Sequence, residues 1–122
     1  MIFNNTQPIF IQIADYVSEL ILRKELQSDQ QIPSVRELAV KLEVNPNTVM
    51  RAFERLQQNE VVYNKRGLGY FVSQDAYEKI LAQRKLKLFE DVLPAIYEEM
   101  ALLDITDTEF LAHLKAYKKS MK

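Results

Sequence analysis

Arg36 and the pair Lys65-Arg66 are cations placed where an external anion accounts for them better than the chain itself does, and Arg51 is a third candidate, on the outward face of a predicted helix. Arg36 falls in the first turn of a predicted helix, where the macrodipole disfavours positive charge. Ala39 and Val40 occupy the positions an acidic partner would need. Lys65 and Arg66 adjoin Gly67 at the tip of a predicted hairpin. Arg51 shares a helical face with Asn47 and neighbours Thr48. A planar fork of guanidinium donors, an amide and a hydroxyl on one helix surface suit the reading of base edges. Cations and capping groups at helix starts suit phosphate. Catalysis has no comparable support: cysteine is absent, His113 is the only imidazole, carboxylates are scattered, and no glycine-rich phosphate loop exists. The expectation is no enzyme, no metal and no cofactor.

These side chains need elements to hold them. Ile9, Phe10, Ile13, Val17, Leu20 and Ile21 recur at three- and four-residue spacing after Pro8, predicting a helix over about 8–25. Ser34 with Glu37 makes a capping box opening a second helix over about 34–43, with Val35, Leu38, Ala39 and Leu42 on its apolar side. Asn45 caps a third helix with Pro46 in its first position. Val49, Ala52, Phe53 and Leu56 fill one sector of that helix, and Asn47, Met50, Arg51 and Glu54 point away. Two short helices joined by a tight turn predict a helix-turn-helix. Residues 61–63 and 68–72 then read as strands around a basic turn, with Gly67 able to supply positive φ and Gly69 a close approach. A hairpin placed there is a wing.

From about residue 75 the pattern is helical again. Ile80, Leu81, Leu88, Phe89, Val92, Leu93, Ile96, Tyr97, Met100 and Leu103 form a broad apolar stripe that Pro94 should kink or break. Thr106 and Glu109 open a last helix carrying Phe110, Leu114, Tyr117 and Met121 on one face. A helical hairpin is too thin to bury that surface alone, so a partner surface is expected, with Phe89, Leu93, Ile96, Tyr97, Met100, Phe110, Leu114 and Tyr117 as its contacts. The fold class expected is mainly α with a small β-hairpin: a winged helix-turn-helix domain over 1–74 and a helical dimerisation segment over 75–122. Across 122 residues the formal net charge is −1, which excludes indiscriminate coating of nucleic acid while leaving a specific reader possible. The sequence offers no run of roughly 18 apolar residues and no basic flank at its start, so the expectation is a cytoplasmic protein without membrane association.

The wording of residues 33–72 resembles the GntR family of bacterial winged-helix regulators. The resemblance rests on Pro33-Ser34-Val35-Arg36-Glu37-Leu38-Ala39, on Val44-Asn45-Pro46-Asn47-Thr48-Val49, on Arg51-Ala52-Phe53 with Leu56, and on Arg66-Gly67-Leu68-Gly69-Tyr70-Phe71-Val72. Pro8-Ile9-Phe10-Ile11-Gln12-Ile13 is similar to the family's first helix. The short tail resembles the YtrA-like branch, whose C-terminal helices mainly dimerise and many of whose members repress transport operons. The resemblance implies that Arg36 contacts DNA and that Lys65, Arg66 and Gly67 enter or flank the minor groove. With it, the expectation becomes a homodimeric repressor on double-stranded operator DNA of inverted-repeat form. Asn47, Thr48 and Arg51 would read bases, and Ser34 and Asn45 would hold phosphates. An effector, if one exists, is not identified by these residues. The sequence departs from the family at Asp29-Gln30, where Pro-Gly is common, at Glu43 and at Asn59-Glu60, where glycines are usual, and at Met50, where some members carry an arginine. Positive φ at Glu43 or Glu60 costs about 1 kcal/mol each.

Plainer roles stand beside these. Arg51 could pair with Glu54 one turn on, Lys65-Arg66 could guard a hairpin edge, and Asn45, Asn47 and Thr48 have capping work without DNA. Met50 could be a surface residue or touch a thymine methyl, and His113 a packing or surface group. The tail could fold back on its own core. The alternative function is a winged-helix module that docks protein without specific DNA binding, for which the slightly acidic balance speaks.

Overall fold

The computed structural model describes residues 2–122. It divides into a unit ending at Gln83 and a unit Arg84–Lys122, so the first unit runs past the boundary expected at 74. The reason is packing: Ala76 and Ile80, in the helix after the hairpin, are buried in the first unit's core.

In the first unit α1 (Ile9–Leu22) buries Ile13, Ala14, Val17 and Ile21. Gln12 is buried with them, its side chain accepting from the Asn4 amide at 3.0 Å and donating to the Asn4 and Gln7 carbonyls. These bonds pin the chain ahead of α1 and satisfy the amide. α2 (Val35–Leu42) begins at the expected capping box, both halves of which form around Ser34 and Glu37. α3 (Pro46–Gln58) packs on α1 and α2 through Val49, Ala52, Phe53 and Leu56. Phe53 is fully buried and meets the Tyr70 ring edge-on at 4.9 Å, which fastens the helix to the hairpin.

Strands β1 (Val62–Lys65) and β2 (Gly69–Val72) pair antiparallel in the register Val62 with Val72 and Lys65 with Gly69. β2 has a second neighbour. The Ile32 amide donates to the Tyr70 carbonyl, and the Val72 amide to the Gln30 carbonyl, both at 2.9 Å. The Asp29 amide donates to the Val72 carbonyl at 2.8 Å. The run ahead of Pro33, expected only to be extended, thus forms a short bridge along β2 at Gln31 and Phe71.

Glu43 (φ 56°) and Glu60 (φ 60°) both take the left-handed conformation. Each ends a helix by the six-residue return in which the following amide reaches back: Val44 to the Ala39 carbonyl, Val61 to the Leu56 carbonyl. The strain anticipated for these two glutamates is therefore present.

Helix α4 (Ala76–Lys87) leads into the second unit. Leu88–Val92 follows as a π-helical turn, with the Leu93 amide bonded to the Leu88 carbonyl five residues back. Next comes α5 (Leu93–Leu102), with Pro94 in its first turn. The expected disturbance at Pro94 is a local widening of the helix, which accommodates a residue that cannot donate. α6 (Asp107–Ser120) is capped by Thr106, whose hydroxyl accepts from the Glu109 amide at 3.1 Å. α5 and α6 make little contact with each other, so they do not close into a self-packed hairpin. None of residues 84–122 is buried: Phe89 is 61% exposed and Tyr97 69%. Among the described residues no helix is long and apolar enough to cross a membrane.

Candidate nucleic-acid interface

The outward surface of α3 follows from its inward one. With Val49, Ala52, Phe53 and Leu56 committed to the core, Asn47 and Arg51 are exposed on the opposite side and Thr48 is half-buried between. Asn45 accepts the Asn47 amide on its side-chain oxygen at 2.8 Å, and the Thr48 amide bonds the Asn45 carbonyl at 2.9 Å. Pro46 has no N–H. The start of α3 consequently keeps no unclaimed amide for a phosphate in its first turn. The Asn45 amide oxygen is likewise occupied by capping, although the residue as a whole is exposed.

The start of α2 differs. Ser34 accepts from the Glu37 amide at 3.1 Å, and the Ser34 amide donates to the Glu37 carboxylate at 3.4 Å. Among the described residues the Val35 and Arg36 amides take no hydrogen bond, and the exposed Arg36 side chain has no carboxylate partner. Two open amides and an arginine in the same helical turn are receptive to an anion, with the Glu37 carboxylate of that turn as an opposing charge.

Arg51 does not pair with Glu54. Its guanidinium lies over the Phe10 ring at 4.3 Å from α1, a contact that nothing in the local pattern of either helix discloses. Met50 is partly exposed, and its sulfur accepts a weak hydrogen bond from the Tyr70 hydroxyl at 3.8 Å, so it links α3 to β2.

At the hairpin tip the Leu68 amide bonds the Lys65 carbonyl at 2.9 Å, closing a turn with Arg66 and Gly67 at its centre. Gly67 has φ +81° and open space around it. Gly69 has φ +102°, and a side chain there would meet the Gln31 amide nitrogen at 3.4 Å. That nitrogen donates to the Leu68 carbonyl at 2.5 Å, a side-chain contact in place of the expected backbone approach. Lys65 and Arg66 part company. The Lys65 ammonium rests over the rings of Phe71 (4.8 Å) and Tyr63 (5.9 Å), whereas Arg66 stands exposed without an ion-pair partner among the described residues. Behind them Tyr63 donates to Asp29 at 2.9 Å. Partial removal from water, reinforced by that bond and the carboxylate's charge, raises the Tyr63 hydroxyl above its ordinary titration range. Among the described residues no group of three or more His, Cys, Asp or Glu gathers to hold a metal.

Residues 11–72 match the family described as bacterial regulatory proteins, gntR family. The chain is 36% identical to the uncharacterized HTH-type transcriptional regulator YhcF of Bacillus subtilis, covering 94% of this chain and 93% of YhcF. It is 33% identical to the HTH-type transcriptional repressor YtrA of the same organism, covering 73% and 68%. Among solved structures, a putative GntR-family regulator from Bacteroides thetaiotaomicron superposes with a TM-score of 0.78 at 36% identity, covering 94% of this chain and all of that one. The AraR DNA-binding domain in complex with operator ORR3 superposes with a TM-score of 0.55 at 26% identity, covering 60% of this chain and 88% of AraR's domain. The chain belongs to the gntR family of bacterial regulatory proteins and is a DNA-binding transcription regulator.

Proposed function

We propose that this regulator is a repressor acting as a homodimer on an inverted-repeat operator, with a transport operon among its targets. The observation that carries the reading is the outward surface of α3, with Asn47 and Arg51 exposed and Thr48 half-buried between them, backed by a helix face that is wholly core. α3 enters the major groove, where Arg51 offers guanine a bidentate pair and Asn47 and Thr48 reach adjacent edges. Arg36, with the open amides behind Ser34, takes a backbone phosphate, and Asn45 contributes its NH₂. Arg66 and Gly67 approach the neighbouring minor groove, with Lys65 adding charge from the side. YtrA's name as a repressor and AraR's capture on an operator support the same reading.

Support for the dimer comes from the second unit. Phe89, Leu93, Tyr97, Phe110, Leu114 and Tyr117 are all exposed, with Ile96 and Met100 half-buried among them, which is more open apolar surface than a solitary helix pair keeps in water. Two-fold pairing sets the recognition helices roughly 34 Å apart, one DNA turn.

The test is sedimentation of the full chain together with anisotropy titration on the duplex upstream of its own gene. The wild type should sediment as a dimer and bind with steep salt dependence. Leu93→Glu with Tyr97→Glu should give a folded monomer with operator affinity reduced at least tenfold. Full-affinity binding by that monomer refutes the dimer reading, and binding indifferent to salt and sequence refutes the operator reading.

A further inference from the structure

We propose that Phe10, a residue of α1 outside the helix-turn-helix, is the platform that sets the geometry of Arg51 and is thereby a specificity-determining position. The proposal rests on the reading of Arg51 as a base contact. The guanidinium carbon lies over the Phe10 ring, 4.3 Å from its centre, well within the reach of a cation–π contact. A cation–π contact consumes no hydrogen-bond donor, and Arg51 forms no ion pair among the described residues, so its guanidinium fork stays available for a ligand. The platform is itself held. Phe10 is half-buried and packs against the core that α1 and α3 share.

The arrangement also answers a problem of an exposed arginine. A long side chain at a protein surface samples many rotamers, and only a few put the fork square to a base edge. Ordering it before DNA arrives reduces what binding must freeze, and this gain goes to the complex in which the fork finds its two acceptors. A wrong base gains nothing from the ordering. Neither Glu54 nor any other carboxylate among the described residues pairs with Arg51, so the ring is the contact that orients it. Phe10 thus acts through Arg51 as a positioning residue.

The experiment uses the full chain and a duplex selected by the wild type from a random library, alongside the same duplex altered at the base pair whose change Arg51→Ala no longer feels. Phe10→Leu should weaken binding to the selected duplex by roughly two- to fivefold, the range of an exposed cation–π contact. It should leave the altered duplex nearly unaffected, and Phe10→Tyr should restore discrimination. In the Arg51→Ala background Phe10→Leu should change neither affinity, which a merely structural role would not produce. Phe10→Met serves as the volume-matched second variant, with circular dichroism confirming the fold. NMR gives a readout independent of DNA: Arg51 side-chain protons should be shifted upfield by the ring in the wild type and relax in Phe10→Leu. Equal losses in both backgrounds, a gain in discrimination on removing the ring, or unshifted Arg51 protons in the wild type overturn the proposal. Failure of Arg51→Ala to alter discrimination overturns instead the base-reading role beneath it.

Discussion

Replacing Glu43 by glycine should make the protein more stable, by an amount that the geometry of the helix-turn-helix turn sets. Glu43 sits at φ 56° and ψ 47°, past the last turn of α2. That conformation costs an L-residue roughly 1–2 kcal/mol. Glycine removes the cost but loses more freedom on folding, which offsets about 0.4–1 kcal/mol. The side chain is exposed and has no ion-pair partner among the described residues, and its charge lies at the unfavourable end of the α2 dipole. The net expectation is about 1 kcal/mol of added stability, or about 4–8 °C in Tm for a unit of this size. Thermal and urea unfolding at matched protein concentration measure it, since dimerisation makes Tm concentration-dependent. Glu43→Ala separates the two sources: it removes the charge and keeps the strain, so it should recover only the smaller part. Glu60→Gly is the second control. Its φ is nearly the same, but its carboxylate pairs with Lys79 at 3.3 Å, so its gain should be smaller. An unchanged or lowered Tm for Glu43→Gly refutes the strain argument.

Phe53→Ala, at the fully buried centre of the first unit and in edge contact with Tyr70, should cost about 3–5 kcal/mol in denaturant unfolding. Arg66→Ala should lower the slope of log affinity against log salt by about 1, and Lys65→Ala by less, because its ammonium is held over Phe71 and Tyr63. Tyr63→Phe should flatten the alkaline limb of a stability–pH profile. The fold binds the Tyr63 proton more tightly than the unfolded chain does, so its contribution is complete below the ordinary value of 10.0 and is lost as pH rises through the elevated one. Lys79, which desolvation lowers but its bonds to Glu60 and Asp75 raise further, keeps its own alkaline loss in that variant.

Local signals carried most of the fold. Ser34 with Glu37, Asn45 with Pro46, and Thr106 with Glu109 announce helix starts because capping depends on residues three or fewer apart. The break in apolar period at Val61 announces the hairpin for the same reason. What local pattern could not reveal were contacts between elements: the Phe10 ring under Arg51, the folding of Lys65 onto aromatic rings, and the bridge of Gln31 to Phe71. Gln30-Gln31-Ile32 ahead of Pro33 has an extended bias, but nothing in it specifies β2 as its partner. The candidate site was legible in residue type and helical face. Its amides were not, since Pro46 and Asn45 leave the start of α3 closed while α2 stays open.

The three backbone hydrogen bonds that lay residues 29–32 beside β2 have a mechanical meaning. The same short run holds the base of the hairpin and, one proline later, enters the cap of α2. Wing and α2 are therefore two ends of one stiff bracket. Shifting the hairpin against the start of α2 therefore means breaking backbone hydrogen bonds, not merely flexing a loop.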